Sequence, residues 1–433
     1  MSKATPTVFC ARSMTLGAVL MLSSILIGKA IVAPLFHELS TPSEQLTLEL
    51  VQDSLVQHSI FSPSSSDLLL AGAAGMVDSL DDPYADFISP ADIRDFKEES
   101  TGLFGGIGVM LDKDWRVIFP LPKSDTAKQG ITTGDTILEI DGKNVSTMDS
   151  ANITTRLSGR PGTTVGLKLR KLNGEIVERQ VKRQPVPSIT VSDESIIDAE
   201  HGIAHVSIKS FASSTPEELS SALQRLTALG MQALILDLRF NLGGQLQDAI
   251  DVASYFLSGE IVCRLRPHVG DEYLKYADAQ LSAYPDLPVI VLVNELSASG
   301  SEVVAAALRD HQRAKLMGTR TYGKGVFQKV LSFRDPDFAI KFTAGYYLTP
   351  SGEIIESKIK DDGKPHGLLP DFELEKQTDA TCNAIKLWAS RIRVPEKYAA
   401  EVAELFPEYL QHPRPEDAWI DTAAQQLIAD LKQ

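Results

Sequence analysis

The chain has 433 residues, of which 43% are hydrophobic and 23% are charged, and this balance is typical of a globular protein with two or three domains. Its net charge of -15, together with the lack of a basic stripe, argues against a nucleic-acid-binding protein. Three cysteines are too few for a disulfide framework, and no closely spaced cysteine or histidine motif predicts a metal site or a cofactor. Cys263 and Cys382 can either pair or remain free thiols.

Residues 1–35 predict an export signal. Lys3 and Arg12 precede an uninterrupted apolar run from Met14 to Gly28, which is the pattern of a secretory leader. A second apolar stretch follows Lys29, so residues 14–35 together approach the length that spans a membrane. Two interpretations stay open, a cleaved signal peptide and a signal anchor retained in the inner membrane. Both predict that the rest of the chain lies in the cell envelope or periplasm.

The remaining chain divides into four segments. Residues 36–97 show apolar residues at helical spacing, and residues 98–186 show short alternating strands with glycine-rich turns. Residues 187–374 alternate buried strands with helices, which predicts an α/β domain with helices packed on a sheet. Residues 375–433 are again helical in pattern.

The stretch NELSASGSE, which follows the apolar run LPVIVLV, places three serines between a buried strand and a helix. A helix start favours developing negative charge, so a serine there is a candidate nucleophile. The alternative is a helix cap, because Ser299 and Glu302 have the spacing of a capping box.

A nucleophilic serine needs a base, and the sequence offers a lysine. His311 and His366 lie in no context typical of a catalytic triad. Lys324 lies between two glycines in TYGKGVFQ, and flanking glycines let the backbone bend tightly around one side chain. The alternative is a solvated lysine in a hairpin.

A third motif, LDLRFNLGG, ends a predicted buried strand in Gly243 and Gly244. Glycines at a strand end allow close approach of the backbone to a ligand, so their N–H groups could form an oxyanion hole. A plain turn is the alternative.

Together the three motifs resemble those of the carboxyl-terminal processing proteases, serine peptidases with a Ser-Lys dyad and an auxiliary glutamine. The resemblance also includes DDPYADF, GGIG and YYLTPSGEII, and it extends over roughly residues 70 to 371. In that family the nucleophile stands 25 residues before the lysine, which implies Ser299 as nucleophile and Lys324 as general base. The family glutamine corresponds to Gln328. The implied oxyanion hole uses the N–H of Gly300, where relatives usually have alanine, and one from Gly243 or Gly244. Ser301 is then expected to cap the helix, and Ser297 to be a packing residue.

The same resemblance implies the fold. It predicts a mixed-sheet α/β hydrolase core of repeated strand-strand-helix units, as in ClpP and crotonase, over residues 187–374. Residues 98–186 resemble an inserted PDZ domain, in which the loop Gly106-Ile107-Gly108 would hold the terminal carboxylate of a peptide. The segment Ser124-Asp125-Thr126 replaces the usual SPA of the family, which affects the expected preference for the tail.

The resemblance implies a serine endopeptidase that captures protein substrates by apolar C-terminal tails and cleaves them in the cell envelope. An inactive PDZ-type binding protein on a peptidase scaffold is the alternative, and an ATP-dependent protease is disfavoured because no phosphate-binding loop motif is present. The helical segments 36–97 and 375–433 are predicted to support homo-oligomerisation or adaptor binding.

Overall fold

The computed structural model describes residues 44–432 apart from 335, 357–365, 390–392 and 411–413. The predicted export signal lies outside the described residues. Among the helices in the described part of the chain, none combines the length and the apolar character that crossing a bilayer requires. Cys263 and Cys382 are both free thiols.

The described residues form two compact units, which divide between Ala73 and Ala74. Twelve α-helices lie in the described residues: α1 Glu44–His58, α2 Ser65–Asp78, α3 Ile93–Thr101, α4 Asp125–Lys128, α5 Ser150–Leu157, α6 Thr215–Ala228, α7 Leu246–Ser254, α8 Gly300–Asp310, α9 Asp379–Ala389, α10 Ala399–Leu405, α11 Pro407–Leu410 and α12 Ala418–Leu431.

The strands of the described residues are β1 Asp86–Ile88, β2 Leu103–Gly106, β3 Val109–Leu111, β4 Val117–Pro120, β5 Thr136–Ile140, β6 Lys143–Asn144, β7 Thr164–Arg170, β8 Ile176–Lys182, β9 Gln184–Pro187, β10 Val191–Asp198, β11 Ile203–Ile208, β12 Ala233–Asp237, β13 Ile261–Pro267, β14 Tyr273–Tyr276, β15 Val289–Val293, β16 Ala314–Gly318, β17 Val326–Phe333, β18 Phe338–Leu348 and β19 Phe372–Glu373.

A six-stranded sheet forms the centre of the larger unit, in the order β10-β11-β12-β15-β16-β19. All its neighbouring strands are parallel except β10, which pairs antiparallel with β11. The strands β12 and β15 are buried along their whole length, which explains their continuous apolar sequences. The predicted mixed α/β architecture is therefore confirmed.

Side chains of these central strands alternate between two cores. Leu234 and Leu236 of β12 join the larger core with α6, α7 and α8, whereas Ile235 joins a second core with Ile420 and Leu427 of α12. The alternation follows the period of two along a strand. Both faces of the sheet are thus covered, and the loops at its edges are the parts left for a functional site.

The segment between α3 and β10 has a hydrophobic core of its own. A four-stranded antiparallel sheet, β6-β5-β7-β8, and the hairpin β3-β4 enclose buried residues such as Ile137, Val165 and Leu169. The strands β2 and β9 pair at the two ends of the segment, Leu103 with Pro187 and Gly106 with Gln184. This pairing brings the start and the end of the segment together, as expected for a domain inserted into another.

A five-stranded antiparallel sheet contains β1, β18, β13, β14 and β17, the last of which pairs with β18. The sequence did not predict the strand β1, because residues 36–97 show a helical pattern. Its residue Phe87 lies opposite Ile340 of β18.

The C-terminal segment contacts both the inserted domain and the main sheet. Tyr398, Val402 and Phe406 pack on Phe119 of β4 in one hydrophobic cluster. Further along, Arg239 is fully buried between Asp237, at 2.6 Å, and Asp417, at 2.7 Å. Asp417 also caps α12, because its side chain accepts a hydrogen bond from the N–H of Trp419. The last helix is therefore fixed to the loop that follows β12.

Replacing Asp417 by alanine is expected to lower the free energy of unfolding by about 3 kcal/mol, because Arg239 keeps only one of its two buried carboxylates. Urea denaturation followed by circular dichroism measures this loss. The matched control is Asp430→Ala on the same helix, since Asp430 forms an exposed pair with Lys315. That change should cost less than about 1 kcal/mol. Equal losses in both variants would contradict a stabilising role of the buried pair.

Candidate active site

Four loops meet at one edge of the central sheet, because the carboxyl ends of parallel strands lie on the same side. They follow β11, β12, β15 and β16. Hydrogen bonds join them directly: the N–H of Ala298 donates to the carbonyl of Asn241 at 3.0 Å, and the N–H of Tyr322 donates to the carbonyl of Ser297 at 3.0 Å. The predicted nucleophile, lysine and glycine pair all lie in these loops.

Ser299 differs from its neighbouring serines in both exposure and backbone conformation. Ser297 and Ser301 are 0% exposed, and their hydroxyls donate to the carbonyls of Leu238 and Asn241, each at 2.8 Å. Ser299 is partly exposed and has φ 56° and ψ -116°, which is rare for a residue other than glycine. Local strain of this kind is frequent at functional sites. The structure thus leaves Ser299 as the accessible hydroxyl of the three.

Ser299 also occupies the N-cap position of α8. The prediction that Ser301 caps this helix is wrong, because Ser301 lies inside the first turn and its hydroxyl is directed at the preceding loop. Ser297 is a buried packing residue, as predicted. The nucleophile reading and the helix-cap reading therefore fall on the same residue, Ser299.

Glu302 connects the serine loop to the lysine loop. One oxygen of its buried carboxylate, Oε2, accepts the N–H groups of Ser299 and Lys324, both at 2.9 Å. The other, Oε1, accepts the hydroxyl of Thr321 at 2.6 Å and the N–H of Gly323 at 2.7 Å. Burial raises the pKa of Glu302 to about 7, and these four hydrogen bonds limit the rise. A single carboxyl group thus sets the spacing of the two predicted catalytic residues.

The backbone around Lys324 is held by buried carboxylates on both sides. Gly323 has φ 85°, and an added Cβ on Gly325 would lie 2.6 Å from the backbone nitrogen of Glu356. The N–H of Gly325 donates to the fully buried carboxylate of Glu356 at 2.9 Å. The flanking glycines therefore do allow the tight bend that the sequence indicated.

Gln328 lies near the start of β17, the strand that directly follows the loop containing Lys324. Its side-chain amide donates a long hydrogen bond, 3.5 Å, to the carbonyl of Val326. Its predicted role as orienter of Lys324 stays a prediction.

The two glycines, Gly243 and Gly244, lie next to different parts of the site. Gly243, at φ 101°, lies against the nucleophile, since an added Cβ would be 2.7 Å from Cβ of Ser299 and 2.9 Å from the nitrogen of Gly300. Its N–H, however, donates to Oδ1 of Asn241 at 2.8 Å. Gly244 approaches the backbone of Phe211, where an added Cβ would lie 2.0 Å from the carbonyl oxygen. Gly243 and Gly300 are brought together with Ser299, but the N–H of Gly243 is used within its own loop.

Gly243→Ala is expected to lower kcat by about a hundredfold, because the new methyl group would displace Ser299 and a shift near 1 Å is enough for such a loss. Gly300→Ala is the matched substitution. Its backbone is helical, and its nearest neighbour would be a side-chain atom of Phe211 at 3.1 Å. Gly300→Ala is expected to lose less activity than Gly243→Ala. Peptidase rates and melting temperatures of both variants check this, and a larger loss of activity in Gly300→Ala would contradict it.

Two tyrosines lie close to Ser299 and Lys324. Tyr347 is buried next to Ser299, and burial, with the charge of Glu302, raises the pKa of its phenol well above 10.0. The ring of Tyr84 lies under Lys324, with Nζ 4.8 Å from its centroid. Both phenols therefore stay neutral at the pH at which a peptidase operates, since burial also raises the pKa of Tyr84.

The predicted carboxylate-binding loop is well ordered by internal contacts. Ile107 is buried, and its carbonyl accepts the hydroxyl of Thr126 at 2.5 Å. Gly108, after Gly106 at the end of β2, has φ 69°, and an added Cβ would lie 2.9 Å from Cβ of Ser124. Thr126, the last residue of the segment Ser124-Asp125-Thr126, thus adds a buried hydrogen bond to the loop.

Sequence reasoning missed three residues of this site. Glu302 was assigned only a capping role, although its fixed spacing from Ser299 was the available signal. Tyr84 lies in the motif DDPYADF, to which no role was given, and Glu356 directly follows the motif YYLTPSGEII. Within the described residues, no cluster of three or more His, Cys, Asp or Glu side chains is arranged to hold a metal ion.

Comparison with known proteins gives consistent matches. The model of peptidase family S41 matches residues 202–374. A probable CtpA-like serine protease of Staphylococcus saprophyticus is 31% identical over 347 residues, which are 79% of this chain and 68% of the relative. The carboxy-terminal processing protease CtpA of Bacillus subtilis is 31% identical over 331 residues, 75% of this chain and 69% of the relative. Among solved structures, the photosystem II D1 C-terminal processing protease is 25% identical and covers 77% of this chain and 94% of its own, with a TM-score of 0.45.

Proposed function

The chain belongs to peptidase family S41, the carboxy-terminal processing serine proteases, and from that premise we propose that Ser299 and Lys324 are its catalytic dyad. The observation that carries the proposal is the shared acceptor Oε2 of Glu302, which holds the backbones of both residues at 2.9 Å. The partial exposure of Ser299, between buried neighbours, supports its role as the nucleophile. The presence of both residues supports an active enzyme over the alternative of an inactive binding protein.

The reaction is acyl transfer. Neutral Lys324, oriented by Gln328, takes the proton from the hydroxyl of Ser299, whose oxygen attacks the peptide carbonyl. The N–H of Gly300, at the first turn of α8, and one N–H from the glycine pair stabilise the oxyanion. The leaving amine takes the proton from the lysine, and water then hydrolyses the acyl-enzyme. Gly244 is the favoured partner of Gly300 here, because the N–H of Gly243 donates to Asn241.

The inserted domain is proposed to be a PDZ domain that captures apolar C-terminal tails. Its support is the loop of Gly106, Ile107 and Gly108, which ends β2 and is fixed by Thr126. In such domains the loop N–H groups bind the terminal carboxylate, and the following strand pairs with the tail. The core is proposed to have the repeated strand-strand-helix units of ClpP and crotonase.

An unstructured protein with an apolar C-terminal tail tests this proposal. The full chain, without nucleotide or metal, should cleave it about tenfold or more faster than the same protein ending in charged residues, because tail binding contributes about 1.4 kcal/mol or more. Mass spectrometry of the products measures both rates. If the chain cleaves neither protein, the peptidase mechanism is overturned. If it cleaves both at equal rates, only the capture of substrates by their tails is overturned.

Location and assembly are further parts of the proposal. The apolar run at residues 14–28 supports export to the cell envelope, with the enzyme either released or anchored to the inner membrane. Membrane fractionation of the full chain and of a variant lacking residues 1–35 distinguishes the two. Within α1, Leu48, Val51 and Leu55 are exposed, which supports self-association or adaptor binding through the terminal helices. Light scattering that shows only monomers at high concentration would argue against self-association.

A further inference from the structure

A short segment that precedes the inserted domain is fixed to the sheet beside the lysine. We name it the strap, residues 82–88. The carboxylate of Asp82 accepts both the N–H of Thr343, at 2.7 Å, and its hydroxyl, at 3.0 Å. The N–H of Tyr84 donates to the same carboxylate at 3.0 Å. The hydrogen bonds hold the pKa of Asp82 below its usual value although burial opposes this. The strap then continues as β1, paired with β18.

Strand β18 contacts both the strap and the loop that contains Lys324, which we call the lysine loop. Thr343, which binds Asp82, is the partner of Gln328 on the neighbouring strand β17. Lys324 precedes β17 by two residues, and the carbonyl of Gly325 accepts the N–H of Tyr347 of β18 at 3.0 Å. The strap and the lysine loop are therefore both fixed to the same strand, and this places the ring of Tyr84 at 4.8 Å from Nζ of Lys324.

An aromatic face has a defined effect on a lysine amine. The side chain of lysine has four rotatable bonds and loses about 2 kcal/mol of conformational entropy when it is fixed. When neutral Lys324 takes the proton of Ser299 it becomes an ammonium, and a ring face attracts an ammonium by about 0.5–2 kcal/mol. The ring of Tyr84 can thus stabilise the positive charge that develops on Lys324 during proton transfer, and its contact with Nζ limits the conformations of the side chain.

We propose that Tyr84 is a positioning residue for the general base, and that the strap exists to hold its ring against Lys324 within reach of Ser299. This inference rests on the proposed dyad. It assigns the N-terminal motif DDPYADF to the peptidase site, although the motif lies more than two hundred residues before the serine.

The ring, and not the hydroxyl, carries the role. The phenol of Tyr84 has its pKa raised by burial and then by the carboxylate of Glu356, so it is neither a base nor an anion during catalysis. The other charged or titratable groups around it are Glu302, Asp82 and Tyr322. A phenylalanine at position 84 keeps the face that contacts Nζ, whereas a leucine keeps apolar volume without that face. The two substitutions therefore separate positioning by the ring from simple filling of space.

The test measures the rate at which a fluorophosphonate probe labels Ser299 in the full chain, together with kcat and KM on the apolar-tail protein. Tyr84→Leu is expected to slow labelling and to lower kcat by about 10- to 30-fold with KM unchanged. Tyr84→Phe should stay within about twofold of the parent. The matched control is Tyr273→Leu, since Tyr273 is an exposed tyrosine whose ring lies 5.9 Å from Nζ of Lys275. That variant should label at the parent rate.

Four results separate this inference from the proposed function. Labelling of Tyr84→Leu at the parent rate would overturn the positioning role, and so would a Tyr84→Phe variant as slow as Tyr84→Leu. A parent chain that is not labelled, or a Ser299→Ala variant that is labelled equally, would instead overturn the proposed dyad. Asp82→Ala leaves the ring intact but removes the contacts to Thr343, and it should reproduce the slow labelling. It decides the question if Tyr84→Leu does not fold.

Discussion

Replacing either Ser299 or Lys324 by alanine is expected to lower kcat by about 10⁴-fold or more, with little effect on KM. Without the hydroxyl no acyl-enzyme can form, and without the amine no group in the site takes the serine proton. The double variant should be no slower than either single one, because the two residues act as a unit. Cleavage of an unstructured protein with an apolar tail, followed over several hours, measures these losses.

Two nearby residues serve as matched controls. Ser301→Ala removes a buried hydroxyl that donates to Asn241, so it should cost about 1 kcal/mol of stability but leave most of the activity. Lys329→Ala removes an exposed lysine of β17 and should be neutral. A Ser299→Ala variant that keeps more than about one hundredth of the parent rate would assign the nucleophile to another residue.

Glu302→Gln is expected to lower kcat by about a hundredfold through displacement of both dyad residues. The carboxylate accepts four hydrogen bonds, two on each oxygen. An amide has one acceptor oxygen, so two of the four donors would face an NH₂ group instead. Ser299 and Lys324 would then lose the acceptor they share, and small misplacements of catalytic groups are costly.

The same variant tests the ionisation of Glu302. Its pKa is about 7 in the folded chain, raised by burial from an ordinary 4.5. Between these two pH values the folded chain keeps a proton that the unfolded chain has lost. Stability therefore falls as the pH rises from about 4.5 to 7, by up to about 3 kcal/mol from this group. Urea denaturation at pH 5, 6, 7 and 8 should show a smaller slope for Glu302→Gln, and an unchanged slope would contradict the raised pKa.

Sequence motifs identified the candidate residues that have a recognisable pattern in the residues next to them. Ser299 follows a buried strand and starts a helix, and Lys324 lies between glycines, so local patterns made both of them candidates. The parallel core was readable because β12 and β15 are buried on both faces and hence continuously apolar. The family resemblance then selected Ser299 among three serines, and its exposure supports that choice.

The features that sequence reasoning missed depend on contacts between distant residues. The strand β1 has only three residues, and its partner on β18 lies some 250 positions away. Glu302 had a sufficient local explanation as a capping residue, which concealed its bonds to Thr321, Gly323 and Lys324. Ser301 was assigned to the cap because nothing local shows that the loop after β12 covers it.

The contact of Arg239 with Asp417 has a consequence for the order of events during synthesis. Asp417 follows Arg239 by 178 residues, and Arg239 precedes Gly243 of the glycine pair by four residues. While the ribosome is still making the C-terminal segment, this guanidinium lacks its second carboxylate, although earlier parts of the chain can already fold. The loop after β12 therefore reaches its final surroundings only after Asp417 has been translated, although the strands beside it are made much earlier.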